Sequence, residues 1–169
     1  QNTTGYIVGK ASEQAGMIKH GAKMIQAVAN ASVPQITLHI GASFGAGNYG
    51  MCGRAYGPRF AFSWPNAKTA VMGGEQAAMT MRLVMEAKLK RGGAGDTKEV
   101  DTAQLDALEK QIIDTFERQS SAFYTSGRLL DDGIIDPRDT RKVLAWVLSI
   151  CREADARTLR PVQFAVARH

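Results

Sequence analysis

Gly41-Ala-Ser-Phe-Gly-Ala-Gly-Asn-Tyr-Gly50 is the stretch whose residue types and spacing could do chemistry. Its four glycines and two alanines in ten residues are too many for a helix interior or a packed strand, so it reads as a loop leading into a short helix. Aligned main-chain N–H groups at such a junction favour negative charge, whether phosphate or oxyanion. Three chemistries compete for it. Gly45, Gly47 and Gly50 spell G-x-G-x-x-G, but the dinucleotide fingerprint needs an acidic residue about 20 positions on, and residues 65–72 hold none. Gly41 to Phe44 also intervene between the preceding strand and the motif, and no Gly-Lys-Ser/Thr follows to make a nucleoside-triphosphate loop. Gly41, Ser43 and Gly45 spell G-x-S-x-G, but a nucleophilic serine needs an acid and then a histidine downstream. The only later histidine is His169, so Ser43 reads as a small residue under a crowded backbone. What remains is a loop of main-chain donors, suited to stabilising an oxyanion as charge develops.

The other candidates fall to structural roles. His20 reads as a helix-surface residue and His39 as an alternating strand residue, neither with metal-ligand spacing, so no metal site is expected. Asp131 and Asp132 are adjacent and precede Gly133, which predicts diverging side chains engaged in turn and cap chemistry. Cys52 and Cys151 lie far apart and read as reduced thiols of a cytosol-like compartment.

The elements that must position the glycine stretch follow from periodicity. Tyr6-Ile-Val8 reads as a short buried strand. Met17, Gly21, Met24, Ile25 and Val28 recur at helical spacing until Pro34. Ile36, Leu38 and Ile40 alternate as a strand, as do Phe60, Phe62 and Trp64. After a turn at Pro65-Asn66, Thr69 to Met72 forms another strand. Gly73-Gly74 opens a helix from Glu75 to about Lys90, and Arg91-Gly-Gly-Ala-Gly-Asp96 reads as a flexible loop. Leu105, Leu108, Ile112 and Phe116 form one helical stripe; Val143, Leu144, Val147, Leu148 and Cys151 form another. Between them Asp131–Pro137 reads as a tight turn, with Asp136 as N-cap and Pro137 at the first helical position. The order predicts an α/β fold, and the two consecutive strands before one helix suggest ββα units instead of a doubly wound sheet.

The totals are those of one globular domain or a piece of a larger protein: 169 residues, 44% hydrophobic and 22% charged. A net charge of +5 without a clustered aromatic–basic stripe argues against a nucleic-acid partner. No apolar run approaches the roughly 20 residues of a membrane span, and no signal peptide is expected. A chain that begins with Gln1 reads as a fragment.

Three blocks carry a resemblance: Gly41 to Tyr56 with its continuation through Pro58-Arg-Phe60 to Trp64-Pro-Asn66; Val71-Met-Gly-Gly-Glu-Gln-Ala-Ala78; and Asp131-Asp-Gly-Ile-Ile-Asp-Pro137. Gln1–Gly9 and Lys19–Met24 fit as well. Together they resemble the carboxyltransferase (β) subunit of biotin-dependent acyl-CoA carboxylases, in the 3-methylcrotonyl-CoA and geranyl-CoA branch, over nearly the whole chain. The resemblance implies a crotonase-like spiral of ββα units with additional C-terminal helices. Residues 1–169 would be the second domain in part, without the first, CoA-binding domain. It also implies a hexameric core of β subunits, a biotin carboxylase and carrier α subunit as partner, and a bacterial cytoplasm or mitochondrial matrix as location.

The family chemistry moves CO2 from carboxybiotin to the γ-carbon of a 3-methyl-2-enoyl-CoA. Oxyanions develop on the biotin ureido group and on the acyl thioester, and each needs backbone donors. By resemblance the N–H groups of Ala46 and Gly47, with Gly45 shaping the turn, would hold one of the two, and we assign them to the biotin side. Phe44, Asn48 and Tyr49 would wall the acyl-CoA substrate. Gly73 and Gly74 read as structural, allowing close helix–strand packing. Ala42, Phe62-Ser-Trp64 and Val162–Arg168 depart from the methylcrotonyl pattern and favour the geranyl type slightly. A crotonase-like domain used for binding or assembly without turnover is the competing reading.

Overall fold

A computed structural model of the chain describes residues 1–92 and 102–159, with side chains described outside 88–92 and 102–104. The 93–96 part of the expected glycine loop, the 162–168 tail and His169 lie outside the described residues. Contacts divide the chain into two compact units, Gln1–Pro137 and Arg138–His169.

In the first unit, helices α1 (Lys10–Gln14) and α2 (Met17–Asn30) precede a repeated pattern of two strands and a helix. The first repeat is β1 (Ile36–His39), β2 (Ala42–Phe44) and α3 (Gly45–Gly50). The second is β3 (Phe60–Ser63), β4 (Lys68–Ala70) and α4 (Gly74–Gly92). Each strand pairs in parallel with its counterpart in the other repeat. β1 runs beside β3 from Ile36↔Phe60 to His39↔Ser63, and β2 runs beside β4 from Ala42↔Lys68 to Phe44↔Ala70. Parallel neighbours need a crossover, and the intervening strand and helix supply it. The ββα expectation therefore holds, and the pairing shows it twice.

Segments outside the repeats extend both sheets. Thr3 N–H donates to Ala42 at 2.6 Å and Phe44 N–H to Thr3 at 3.0 Å, which places the N-terminal residues beside β2. On β3, Asp132 N–H donates to Ala61 at 2.6 Å and Ile135 N–H to Ser63 at 2.9 Å. Residues 132–135 thus run alongside β3, with a parallel bridge between Ser63 and Ile134.

Two expectations fail here for physical reasons. Ala42–Phe44 is a strand, not a loop; small residues are accepted because the ladder partners on both sides carry the pairing. Tyr6–Val8 is not a strand: Ile7 and Val8 are exposed. Tyr6 instead wedges its ring between α2 and α3. A Cβ on Gly21 would stand 3.2 Å from the ring, and one on Gly50 would overlap its hydroxyl, so both helices need glycine at that point.

α5 (Thr102–Ser120) and α6 (Ala122–Gly127) complete the first unit. The predicted stripe of Leu105, Leu108, Ile112 and Phe116 is half-buried on α5, which packs along α4. Gly74 lies close against α5: a Cβ there would meet Phe116 Cβ at 3.3 Å and the Ile113 carbonyl at 3.4 Å. Its role is helix–helix packing, not helix–strand packing as expected. In the second unit α7 (Thr140–Ala156) buries Val147 and Cys151 but leaves Leu148 exposed. Asp139, not Asp136, takes the N-cap position, because Pro137 opens a 3-10 turn (Pro137–Asp139) before the helix. Among the described residues no helix is long and apolar enough to cross a membrane.

Candidate functional site

The glycine stretch is a strand that turns at once into a helix. Gly45 makes the turn at φ +55°, in the left-handed region, and a Cβ there would press on the Val71 carbonyl at 2.9 Å. Backbone strain and steric room both demand glycine. Gly47 is demanded by contact instead: a Cβ would stand 2.9 Å from Gly5 Cα and 3.1 Å from Thr3 Oγ1. Two of the three glycines of G-x-G-x-x-G, Gly47 and Gly50, thus admit the chain's own N-terminal residues. One of the two arguments against a dinucleotide falls, since the motif does follow a strand directly. The missing acid remains, because β4 runs from Ala70 into Val71-Met-Gly73.

Gly45, Ala46 and Gly47 form the first turn of α3, where N–H groups have no carbonyl within the helix to bond. Ala46 is exposed there and Gly47 is buried. Tyr49 is 45% exposed, with its ring 5.6 Å from that of Tyr56. Phe44 is half-buried next to Gly73, where a Cβ would lie 3.8 Å from its ring. Asn48 points the other way. It is 8% exposed, and its amide donates to Ser43 Oγ at 2.9 Å and lies 3.4 Å from His39 Nε2. It crowds Gly53 so closely that a Cβ there would overlap its carbonyl oxygen.

Behind the turn lies a buried polar network that sequence reasoning did not assemble. His39 is 3% exposed at the end of β1, with Nδ1 3.3 Å from Ser63 Oγ on β3. Ser63 donates to Asp131 Oδ2 at 2.7 Å, and Gly133 N–H donates to Asp131 Oδ1 at 3.1 Å. Asp132 diverges from it as expected, accepting from Ala61 N–H at 2.8 Å and pairing with Arg54 at 3.5 Å. Ser43, fully buried on β2, donates to Gln1 Oε1 at 2.5 Å, so its hydroxyl is engaged and enclosed, unlike a nucleophile's. Burial pushes the His39 imidazole below its usual value; Asp131 and a hydrogen bond with the Phe62 backbone oppose it. One signal in the sequence pointed to the network. Thr37 and His39 share a face of β1, and that polar face is the more buried one.

Cys52 and Cys151 are free and buried, and burial raises the Cys52 thiol. Among the described residues no group of three or more His, Cys, Asp or Glu could hold a metal ion.

The whole arrangement has counterparts among known proteins. Residues 1–163 match the carboxyl transferase domain. The chain is 52% identical over 151 residues to the β chain of mitochondrial methylcrotonoyl-CoA carboxylase of Dictyostelium discoideum, covering 89% of this chain and 25% of that one. Its structure resembles the β subunit of P. aeruginosa geranyl-CoA carboxylase with a TM-score of 0.85 and 51% identity, over 99% of this chain and 30% of that one. It resembles the transcarboxylase 12S hexamer, solved with methylmalonyl-coenzyme A bound, with a TM-score of 0.73 and 30% identity, over 99% of this chain and 29% of that one. The chain therefore spans between about a quarter and a third of the length of these relatives. These neighbours share the crotonase-like α/β fold, and this chain belongs to the carboxyl transferase domain family of biotin-dependent carboxylase β subunits.

Proposed function

We propose that residues 1–169 are the second crotonase-like domain, in part, of an acyl-CoA carboxyltransferase β subunit. In this reading the first turn of α3 stabilises an oxyanion during transfer of CO2 to the γ-carbon of a 3-methyl-2-enoyl-CoA. The carrying observation is the Gly45 turn, whose φ of +55° and contact with the Val71 carbonyl swing the backbone so that α3 starts directly at the end of β2, with Ala46 exposed. A turn that a Cβ would obstruct, followed by first-turn N–H groups, fits a developing negative charge and needs no charged side chain. Carboxybiotin, presented on the carrier domain of an α subunit, supplies the CO2.

Ala46 and Gly47 hold the oxygen of the biotin ring in place, with Gly45 setting their direction. Tyr49, exposed beside Tyr56, and Phe44, beside Gly73, wall the acyl-CoA. The first domain, and with it most of the CoA contacts, comes from outside this chain, in a hexamer like that of the transcarboxylase 12S relative. The setting is a bacterial cytoplasm or a mitochondrial matrix, in line with the names of the relatives.

The test is transfer of label from 14C-carboxybiotin by a β subunit carrying this chain, with 3-methylcrotonyl-CoA and geranyl-CoA as parallel acceptors. Labelling of either supports the reading, and the ratio assigns the chain length. Ser63 belongs to the buried network, so only Ala42 and the 162–168 segment remain of the departures that favour geranyl-CoA. If neither acceptor is labelled while the subunits assemble normally, the chain serves binding or assembly alone.

A further inference from the structure

The buried network has a direction that its chemistry fixes. A carboxylate only accepts hydrogen bonds, so the single hydrogen of Ser63 Oγ goes to Asp131 Oδ2, 2.7 Å away. At its 3.3 Å contact with His39 Nδ1 the same hydroxyl must then accept, which places a proton on Nδ1. In a neutral imidazole Nε2 is then an acceptor. Facing it at 3.4 Å is Asn48 Nδ2, a donor, whose other hydrogen goes to Ser43 Oγ at 2.9 Å. Ser43 passes its own hydrogen to Gln1 Oε1. Each of these steps runs from donor to acceptor, and Gln1 Oε1, 3.4 Å from Asn48 Nδ2, is a third acceptor for its two hydrogens.

Asn48 is the only member of this chain on α3. Through it the short helix is tied to β1 by His39 and to β2 by Ser43. Gly53, with no room for a Cβ, closes the other side of the side-chain amide and donates its N–H to the Asn48 main-chain carbonyl at 2.8 Å. A six-residue helix has little stability of its own, so such a tie decides where its first turn sits.

We propose that Asn48 is a positioning residue for the Gly45–Gly47 turn, held in one orientation by a one-way hydrogen-bond chain through the Nδ1–H tautomer of His39 and Ser63 to Asp131. This rests on the reading that the turn's N–H groups stabilise an oxyanion, and it replaces the expectation that Asn48 contacts substrate. The titratable group facing His39 is Asp131, through Ser63.

The experiment uses the β subunit carrying this chain, assembled with its biotinylated partner, in three variants: Asn48→Ala, Asn48→Asp and Ala46→Pro. Asn48→Ala is expected to lower kcat about 100-fold, the scale of a misplaced catalytic group, with KM for the acyl-CoA within about twofold. Hydrogen exchange of residues 45–50 should accelerate about tenfold or more alongside. A substrate-contact role would raise KM and leave exchange unchanged. Asn48→Asp keeps the shape but offers an acceptor to Nε2, so its activity should rise towards lower pH as His39 takes a second proton, while the parent's falls. If Asn48→Ala does not assemble, that pH profile decides. Parent kcat and parent exchange in Asn48→Ala, or an unshifted profile in Asn48→Asp, overturns the proposal. Ala46→Pro separates the two claims: if it stays active the oxyanion reading fails, whereas the exchange rates still report whether Asn48 positions the turn.

Discussion

Two regions of the first unit are packed in opposite ways. Around the α3 turn the buried side chains are polar: Thr37, His39, Ser43, Asn48, Ser63 and Asp131. Along α4 and α5 the contact is small or apolar, with Ala78 buried beside Leu105, Leu108 and Ile112. Its polar element is at the rim, where Arg82 forks to Asp106 at 3.0 Å and Glu109 at 2.9 Å. Apolar packing is tolerant, because a side chain of similar volume can settle into place. A buried hydrogen-bonded network is not, because each broken link leaves a desolvated group unpaired. The intolerant kind of interior lies beneath the turn to which we assign the chemistry.

The contrast can be broken from either side. His39→Leu removes the hub and leaves the Asn48 amide and the Ser63 hydroxyl each short of a partner. Ser63 keeps Asp131 and Asn48 keeps Ser43, so the two lost hydrogen bonds cost together about 2 kcal/mol, read as a lower urea midpoint for unfolding of the subunit. A stability equal to the parent's would show the network to be slack. On the other side, Ile112→Ala should cost about 2 kcal/mol, towards the low end for such truncations because Ile112 is half-buried. Its carboxyl transfer per folded subunit should match the parent's. Lost transfer without lost stability would tie α5 to the chemistry and erase the distinction.

The smallest effect is the pH dependence of the network. His39 has its value lowered in the folded state, mainly by burial. A group held neutral contributes stability that is complete above its unfolded value, near 6.5, and is lost as pH falls through the folded one. Below about pH 6.5 the parent should lose stability by up to about 1.4 kcal/mol per pH unit relative to His39→Gln. Parallel curves for the two proteins would mean that His39 takes its proton as readily folded as unfolded.

How far the sequence led follows the same divide. The α5 stripe and α2 were readable because burial of an apolar face imposes a 3.6-residue period. The ββα order was readable because two strand patterns followed each other without a helix. β2 was not, since its three residues owe their pairing to Thr3 and to β4, not to β-forming side chains. The network was least readable. It joins His39, Asn48, Ser63 and Asp131, which are far apart in the chain and meet only through the strand register His39↔Ser63 and the run of residues 132–135 beside β3. Even the β1 alternation misled: the apolar residues Ile36 and Leu38 are half-buried, and Thr37 and His39 are buried. The glycine stretch was legible as a junction that needs glycine, but not in its geometry, which turns at Gly45 where a Cβ would press on the Val71 carbonyl.

The central claim is that main-chain donors of the α3 turn carry the oxyanion. It is tested most directly by the rate of label transfer from 14C-carboxybiotin in the β subunit carrying Ala46→Pro, beside Ala46→Gly. Proline removes one N–H at a position in the first helical turn, where its ring is tolerated, whereas glycine keeps the donor. The account predicts a kcat lower by about 100- to 1,000-fold for Ala46→Pro, with assembly unchanged, and near-parent transfer for Ala46→Gly. Parent-level transfer by Ala46→Pro would contradict it.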